Sequence, residues 1–507
     1  MIIGIDVGTT STKAILMDKN EQILATAEQG YPLNQAQPGQ AEQDPQTIWQ
    51  AVQAVIADIQ QQLPHADTIT ALSLSTAMHS LLLLDQHWQP LTPIITWADN
   101  RAAATVAQLR ADPTTPDFYQ QTGTPLHPMT PLAKLFWLQA TQPGSLRQTA
   151  HFADLKSYLV WQLTGEFVLD INLASATGLV AWRTGQWSET ILKKLALPNS
   201  ALPRIVPITT TYPLKPQMAT TLALPSTTRL VLGASDGALA NIGIGAVHPD
   251  QIALTIGTSG AVRVISDRPQ LAPQGESFCY RIDTEHWLLG GPVNNGGIIL
   301  QWALTTLCPD LKNTNDPIAA MIALAAQSPL GAHGLIFLPY LNGERAPFWD
   351  GSLSGHFIGL RSQHTRADLL RAILEGITFN LAVVTQQLST LVPAAKKATL
   401  LGTGGFARSP FWCQLISDVF ARALVIPDQI QGSALGAARV AQQALDSTQP
   451  WWHAQPPIAS TTYQPSSATS QMYQRLLPLW WQLAQRSAQP DPDLVAWQTL
   501  TSQFGAL

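Results

Sequence analysis

Short apolar runs punctuated by glycine turns dominate the start of the chain. Residues 2–5 read as a strand, Gly8-Thr9-Thr10 as a turn and residues 12–17 as a second strand. Asp18-Lys19-Asn20 is another turn and residues 23–27 a third strand. The period then becomes helical: Ile48, Val52, Val55, Ile56 and Ile59 share one face, with Asp44 as N-cap and Pro45 at the first helical position. Residues 69–74 return to a buried strand, so the alternation predicts an α/β fold. The opening pattern recurs as a run at 252–256, the turn Gly257-Thr258-Ser259-Gly260 and a run at 261–265. A real repeat implies two related α/β domains facing a cleft, at 1–245 and 246–446; chance likeness of two hairpins is the alternative. The 447–507 tail is rich in Pro, Ser, Thr, Gln and Trp, carries a helix expected around 471–485, and reads as peripheral.

Composition narrows the class. The chain is 46% hydrophobic and 12% charged, which excludes disorder. A net charge of −5, from 28 basic and 33 acidic residues, argues against a nucleic-acid partner. Cys279, Cys308 and Cys413 are too scattered for a disulfide framework or a zinc site, so a reducing cytoplasm is expected. No signal peptide is expected, because Asp6 interrupts the first apolar run. No membrane span is expected either: the most apolar stretch, 231–247, contains Asp236 and Asn241.

Five segments carry candidate chemistry. Asp6-Val7-Gly8-Thr9-Thr10-Ser11-Thr12-Lys13 sets a carboxylate beside a glycine turn rich in hydroxyls, a pattern suited to phosphate and Mg²⁺; a solvated polar hairpin is the alternative. Asp236 stands alone among small residues after an apolar run, either as a general base or as a helix cap. Gly402-Thr403-Gly404-Gly405 can lay backbone against a phosphate or an adenine, though a bare glycine turn is weak evidence. Met78-His79-Ser80 and Trp97-Ala98-Asp99-Asn100-Arg101 mix aromatic, acidic, amide and basic groups, as a polyol site requires. Plain packing is the alternative for His79 and Trp97.

Together these pieces resemble the FGGY carbohydrate kinases, across roughly residues 1–445. Met129-Thr130-Pro131-Leu132-Ala133-Lys134-Leu135-Phe136-Trp137-Leu138-Gln139 is similar to the family's first signature, departing at Ala140. Gly355-His356-Phe357-Ile358-Gly359-Leu360, with Asp368, Leu369, Ala372 and Glu375, is similar to its second. The resemblance implies two actin-like (ribonuclease H-like) domains and ATP-dependent, Mg²⁺-requiring phosphorylation of a polyol. The substrate loops are most similar to those of the family's gluconate kinases, with xylulose kinases next; a non-catalytic regulator or a chaperone-like ATPase is the rival of another class. It also implies that Asp236 is the base and that Asp6 and Asp236 hold Mg²⁺. Thr10, Ser11, Thr12 and Lys13 would then form one phosphate jaw and Thr258 the other, with Gly297, Gln301 and Gly405 on the ATP side. Met78, His79, Trp97, Asp99 and Arg101 would face the substrate. A homodimer is compatible with this reading.

Overall fold

The computed structural model describes residues 1–63, 69–428, 432–454, 459–489, 493–494, 496–497 and 500–501. Two sheets organise them. The first contains β1 (Ile2–Val7), β2 (Ser11–Met17), β3 (Ile23–Gly30), β4 (Ala71–Thr76), β5 (Thr211–Pro213) and β6 (Arg229–Val231), ordered β5-β6-β4-β1-β2-β3. The second contains β7 (Gln251–Ile256), β8 (Gly260–Ser266), β9 (Phe278–Arg281), β10 (Trp287–Val293), β11 (Thr399–Gly404), β12 (Leu424–Pro427) and β13 (Ser460–Tyr463), ordered β9-β10-β8-β7-β11-β12-β13.

The repeat extends from the turns to the whole strand order. An antiparallel hairpin, β1-β2 or β7-β8, has a parallel neighbour in β4 or β11. A second parallel strand, β6 or β12, follows, and an antiparallel edge strand, β5 or β13, closes that side. Parallel neighbours need crossover helices, which cover the sheets and leave their strands buried on both faces.

The helices that matter for the site are α1 (Pro45–Gln61), α2 (Asp236–Gly243), α3 (Ile298–Thr306), α4 (Arg366–Leu391), α5 (Gly432–Leu445) and α6 (Ser467–Ser487). α1 starts as its sequence predicts: the Asp44 carboxylate accepts from Thr47 N at 2.7 Å, and Ile48, Val52, Val55, Ile56 and Ile59 are buried. α5 lies between β12 and β13 of the second sheet in the chain, yet it packs on β1, β2 and β4 of the first and crosses α2 backbone to backbone. A Cβ on Gly436 would lie 2.0 Å from Leu239 O, and one on Gly4 would lie 2.0 Å from Ala434 O, so only glycine permits this approach.

The tail is not peripheral. β13 pairs with β12, and α6 packs on α4. Within α6 the fully buried Tyr473 donates to Glu375 and accepts from Arg371, each at 2.7 Å, and Trp480 Nε1 donates to Phe337 O. Among the described residues no helix is long and apolar enough to cross a membrane.

Candidate active site

The repeat brings the ends of β1, β7 and β11 and the start of α2 together around a cavity of about 500 Å³, lined among others by Asp6, Lys13, Asp236, Thr255, Arg263, Thr403 and Gly404. Asp6 lies opposite Ser75 in the parallel β1-β4 register, and the Ser75 hydroxyl donates to it at 2.7 Å. Thr255 and Thr403 occupy the matching register in β7-β11, their hydroxyls 3.2 Å apart. The two halves therefore present the same position to the cleft, one with a charge and one without. Burial lifts the Asp6 carboxyl to about 6; the Ser75 hydroxyl opposes the shift and the Asp236 charge reinforces it.

Asp236 is the first residue of α2. Ser235 is the N-cap, accepting from Ala238 N at 3.2 Å, so Asp236 is not spent on capping in the way the alternative reading required. Its Oδ1 accepts from Gly237 N at 2.7 Å. Burial raises its carboxyl above the ordinary aspartate range, against the opposing charges of Arg263, Lys156 and Arg345. The turn leading to it is pinned from outside the cleft: Lys156 Nζ donates to Ala234 O at 2.8 Å while paired with Asp170, and Asn172 Oδ1 accepts from Ser235 N.

The expected phosphate residues divide. Lys13 stands opposite Asp6 across β1-β2 and half-exposed, with Glu28 at 3.6 Å. Ser11 also donates to Glu28, at 2.8 Å, and Thr10 lies exposed in the turn. Thr12 is buried on the other face of β2, its hydroxyl donating to Tyr31, because a strand sends alternate residues to opposite sides; it is not available to a phosphate. On the second half Thr258, Gly297 and Gln301 do converge: Gly297 N donates to Gly257 O at 2.7 Å, Ile298 N to Thr258 O at 3.0 Å, and Gln301 lies one turn along α3. Gly404 pairs with Ile256 at the same sheet end, and a Cβ on Gly405 would meet open space.

On the substrate side, Met78 packs beside Gly237: a Cβ on that glycine would lie 3.1 Å from Met78 Cε. His79 is buried, with Nδ1 donating to Ala176 O at 2.9 Å, and burial holds its ring near 3, so it is neutral and keeps Nε2 as an acceptor. Trp97 Nε1 donates to Thr9 Oγ1 at 2.8 Å, tying its loop to the first turn. Asp99 and Arg101 are not among the residues that line the 500 Å³ cavity. Asp99 accepts from Ala41 N and Arg101 Nε, while Arg101 also pairs with Glu42 and stacks over Trp137 at 4.7 Å. Their charges are consumed in folding the loop.

Residues 1–243 match the N-terminal domain of the FGGY family of carbohydrate kinases, and residues 252–445 match its C-terminal domain. The chain belongs to the FGGY carbohydrate kinases. A gluconokinase of Bacillus subtilis (strain 168) is 37% identical over 485 residues, 94% of each chain. A xylulose kinase of Escherichia coli (strain K12) is 32% identical over 495 residues, 94% of this chain and 100% of its own. The crystal structure of a gluconate kinase from Lactobacillus acidophilus matches at a TM-score of 0.91 and 38% identity, covering 96% of this chain and 98% of that one. A ligand-bound xylulose kinase structure from the same organism matches at 0.91 and 39%, with the same coverage. The kinase thus has the two-domain, actin-like α/β fold of the sugar kinases.

One cation of the kinase cleft escaped sequence reading. Arg263 lines the cavity beside Asp236; Arg345, buried nearby, lies 5.0 Å over the Trp97 ring with Nε donating to Asn294 Oδ1. In Ala-Val-Arg-Val an arginine at period two reads as solvent-facing; only the facing α2 reveals otherwise. Asp6 and Asp236 are the carboxylates that could hold Mg²⁺ in the kinase. Asp6 and Asp236 share one cavity and Asp236 raises the Asp6 carboxyl, so a cation between them relieves like-charge repulsion. No group of three or more His, Cys, Asp or Glu gathers among the described residues, which fits an ion held by one or two carboxylates plus phosphates and water.

Proposed function

We propose that the protein phosphorylates D-gluconate to 6-phospho-D-gluconate with ATP, using Asp236 as general base. The observation that carries this reading is the one cavity that Asp236, Asp6 and Lys13 share, lined by strands of both sheet repeats. The acceptor hydroxyl gives its proton to Asp236 as its oxygen attacks the γ-phosphorus in line; the bond from that phosphorus to the bridging oxygen breaks and ADP leaves with the electron pair. Lys13 and the turns at 8–10 and 257–260 supply positive charge and N–H donors to the phosphates. Asp6 and Asp236 would hold Mg²⁺, which when bound neutralises phosphate charge. Burial of Asp236 serves the chemistry, since a base works best with a pKa raised toward the working pH.

Gluconate is favoured by 37% identity to the Bacillus subtilis gluconokinase against 32% to the Escherichia coli xylulose kinase, and by the match of the loops around Met78, Trp97 and Asp236. Xylulose is the second reading, supported by a 39% identical structure described as a xylulose kinase. Free, buried Cys279, Cys308 and Cys413 fit a cytoplasmic setting. The deciding experiment measures ADP release with Mg-ATP across gluconate, xylulose, ribulose, glycerol and glucose. Selective turnover of gluconate is expected; preference for xylulose would overturn the substrate assignment while leaving the base in place.

A further inference from the structure

Arg263 stands on β8 just beyond the 257–260 turn and lines the cleft with Asp6, Lys13 and Asp236. Its cross-strand neighbours are Ala253 and Gly290, so the sheet offers it no acid. Its Nε is sealed from solvent and has no hydrogen-bond partner among the described residues. The Asp236 charge acts on it, but the Asp236 Oδ1 is already held by the Gly237 N–H. The guanidinium nonetheless comes against the residue next to the base: a Cβ on Gly237 would lie 3.0 Å from Arg263 Nε and 3.1 Å from Met78 Cε. The start of α2, the substrate loop and the guanidinium therefore meet at Gly237.

A sealed Nε–H without a hydrogen-bonded partner is costly, and a fold keeps such a donor where a ligand completes it. The missing partner is an oxyanion. Asp236 has to touch the acceptor hydroxyl, and the phosphorus under attack lies within bond-forming reach of that same oxygen. The oxyanion nearest to Asp236 in the reacting complex is therefore on the phosphoryl group in flight. A substrate carboxylate belongs at the other end of the polyol, away from the base.

We propose that Arg263 is a catalytic residue that donates from its guanidinium to the transferring phosphoryl group. This rests on Asp236 being the base. The second half of the molecule thereby supplies a charge to a reaction whose base comes from the first, and the two halves must be together for turnover. Arginine suits the task because its planar fork can bridge two phosphoryl oxygens and stays charged when desolvated.

The test uses the full chain, Mg-ATP and whichever polyol of the panel the native protein turns over, with Arg263→Met, Arg263→Lys and Asp236→Asn. Arg263→Met is expected to lower kcat about a hundredfold, the usual cost of one transition-state donor, with KM for polyol and ATP within about threefold. Its melting temperature should not fall, since the substitution removes a sealed N–H that has no hydrogen-bond partner. Arg263→Lys, which keeps the charge but loses the fork, is expected to have a kcat between the two, and it carries the test if Arg263→Met does not fold. Native-like kcat in the variant tested would overturn the proposal. So would a loss confined to KM for acidic polyols, which would place the guanidinium on a substrate carboxylate. Full activity in Asp236→Asn would instead sink the base assignment, whatever Arg263 does.

Discussion

As the proposed base, Asp236 has to be buried enough to be competent and still ionised when substrate arrives. Burial raises its carboxyl, and Arg263, Lys156 and Arg345 hold the rise in check. Two outcomes follow at this residue. Asp236→Asn should cut kcat by about a hundredfold to ten-thousandfold, measured as ADP release, while the ATP affinity read by titration changes little. In the native enzyme the acid limb of kcat/KM should lie above the ordinary aspartate range: the base works only when deprotonated, and its raised pKa moves the loss of activity to higher pH. The Asn variant's residual rate should lack that limb. Arg101 leads to a different expectation. Because it is paired with Asp99 and Glu42, Arg101→Ala should cost about 2–3 kcal/mol in urea unfolding and leave the gluconate-to-xylulose ratio of kcat/KM unchanged. A selective loss on the acid would put its guanidinium on the substrate after all. Asp236 was legible in the sequence because a lone acid among small apolar residues needs a reason. The engagement of Arg101 was not, because its partner Glu42 lies far away in the chain.

Among elements, hairpins and glycine turns were the readable part, since period-two apolar runs broken by Gly and Thr specify them locally. The strand order of both sheets was not legible from the two hairpins, because the edge strands β5 and β13 carry no repeat signal of their own. The position of α5 was hidden. Ala434, Ala437, Ala438 and Ala441 are buried, yet small residues give too faint an apolar stripe to reveal which sheet the helix covers. What fixes it is the crossing with α2, where Gly436 meets Leu239 O. Gly436→Ala has no flexible side chain to push aside, so it should lower stability by about 1–3 kcal/mol or more in thermal melts. Because α2 begins with Asp236, the same variant should also lower kcat at temperatures where it remains folded. Gly144→Ala, whose Cβ would meet nothing within 4 Å, should do neither. Equal melting of the two variants would show that α2 and α5 slide freely and that Asp236 is not positioned through their contact.

For the whole molecule, the tail decides how the second sheet is closed. Its Pro, Ser, Thr and Gln content reads as solvent-exposed chain, but Tyr473, Leu477, Trp480 and Ala484 recur at helical spacing and are all buried. That stripe was present in the sequence and outweighs the composition, because four inward residues can seal a core regardless of what the other face carries. Tyr473 also completes a buried network: it donates to Glu375 and accepts from Arg371, which itself pairs with Glu375 at 2.7 Å. None of these residues lines the catalytic cleft. Stability and turnover should therefore separate. Trp480→Ala should cost about 3–5 kcal/mol through lost burial and the cavity left behind. Tyr473→Phe should cost about 1–3 kcal/mol, since it keeps the ring and removes only the hydroxyl that Glu375 and Arg371 share. Urea unfolding reads both, and kcat measured well below the midpoint of each variant should match the native value. A fall in kcat without a fall in stability would mean that α6 acts on the cleft through α4, and the tail would then belong to the catalytic cycle rather than to the closure of the core.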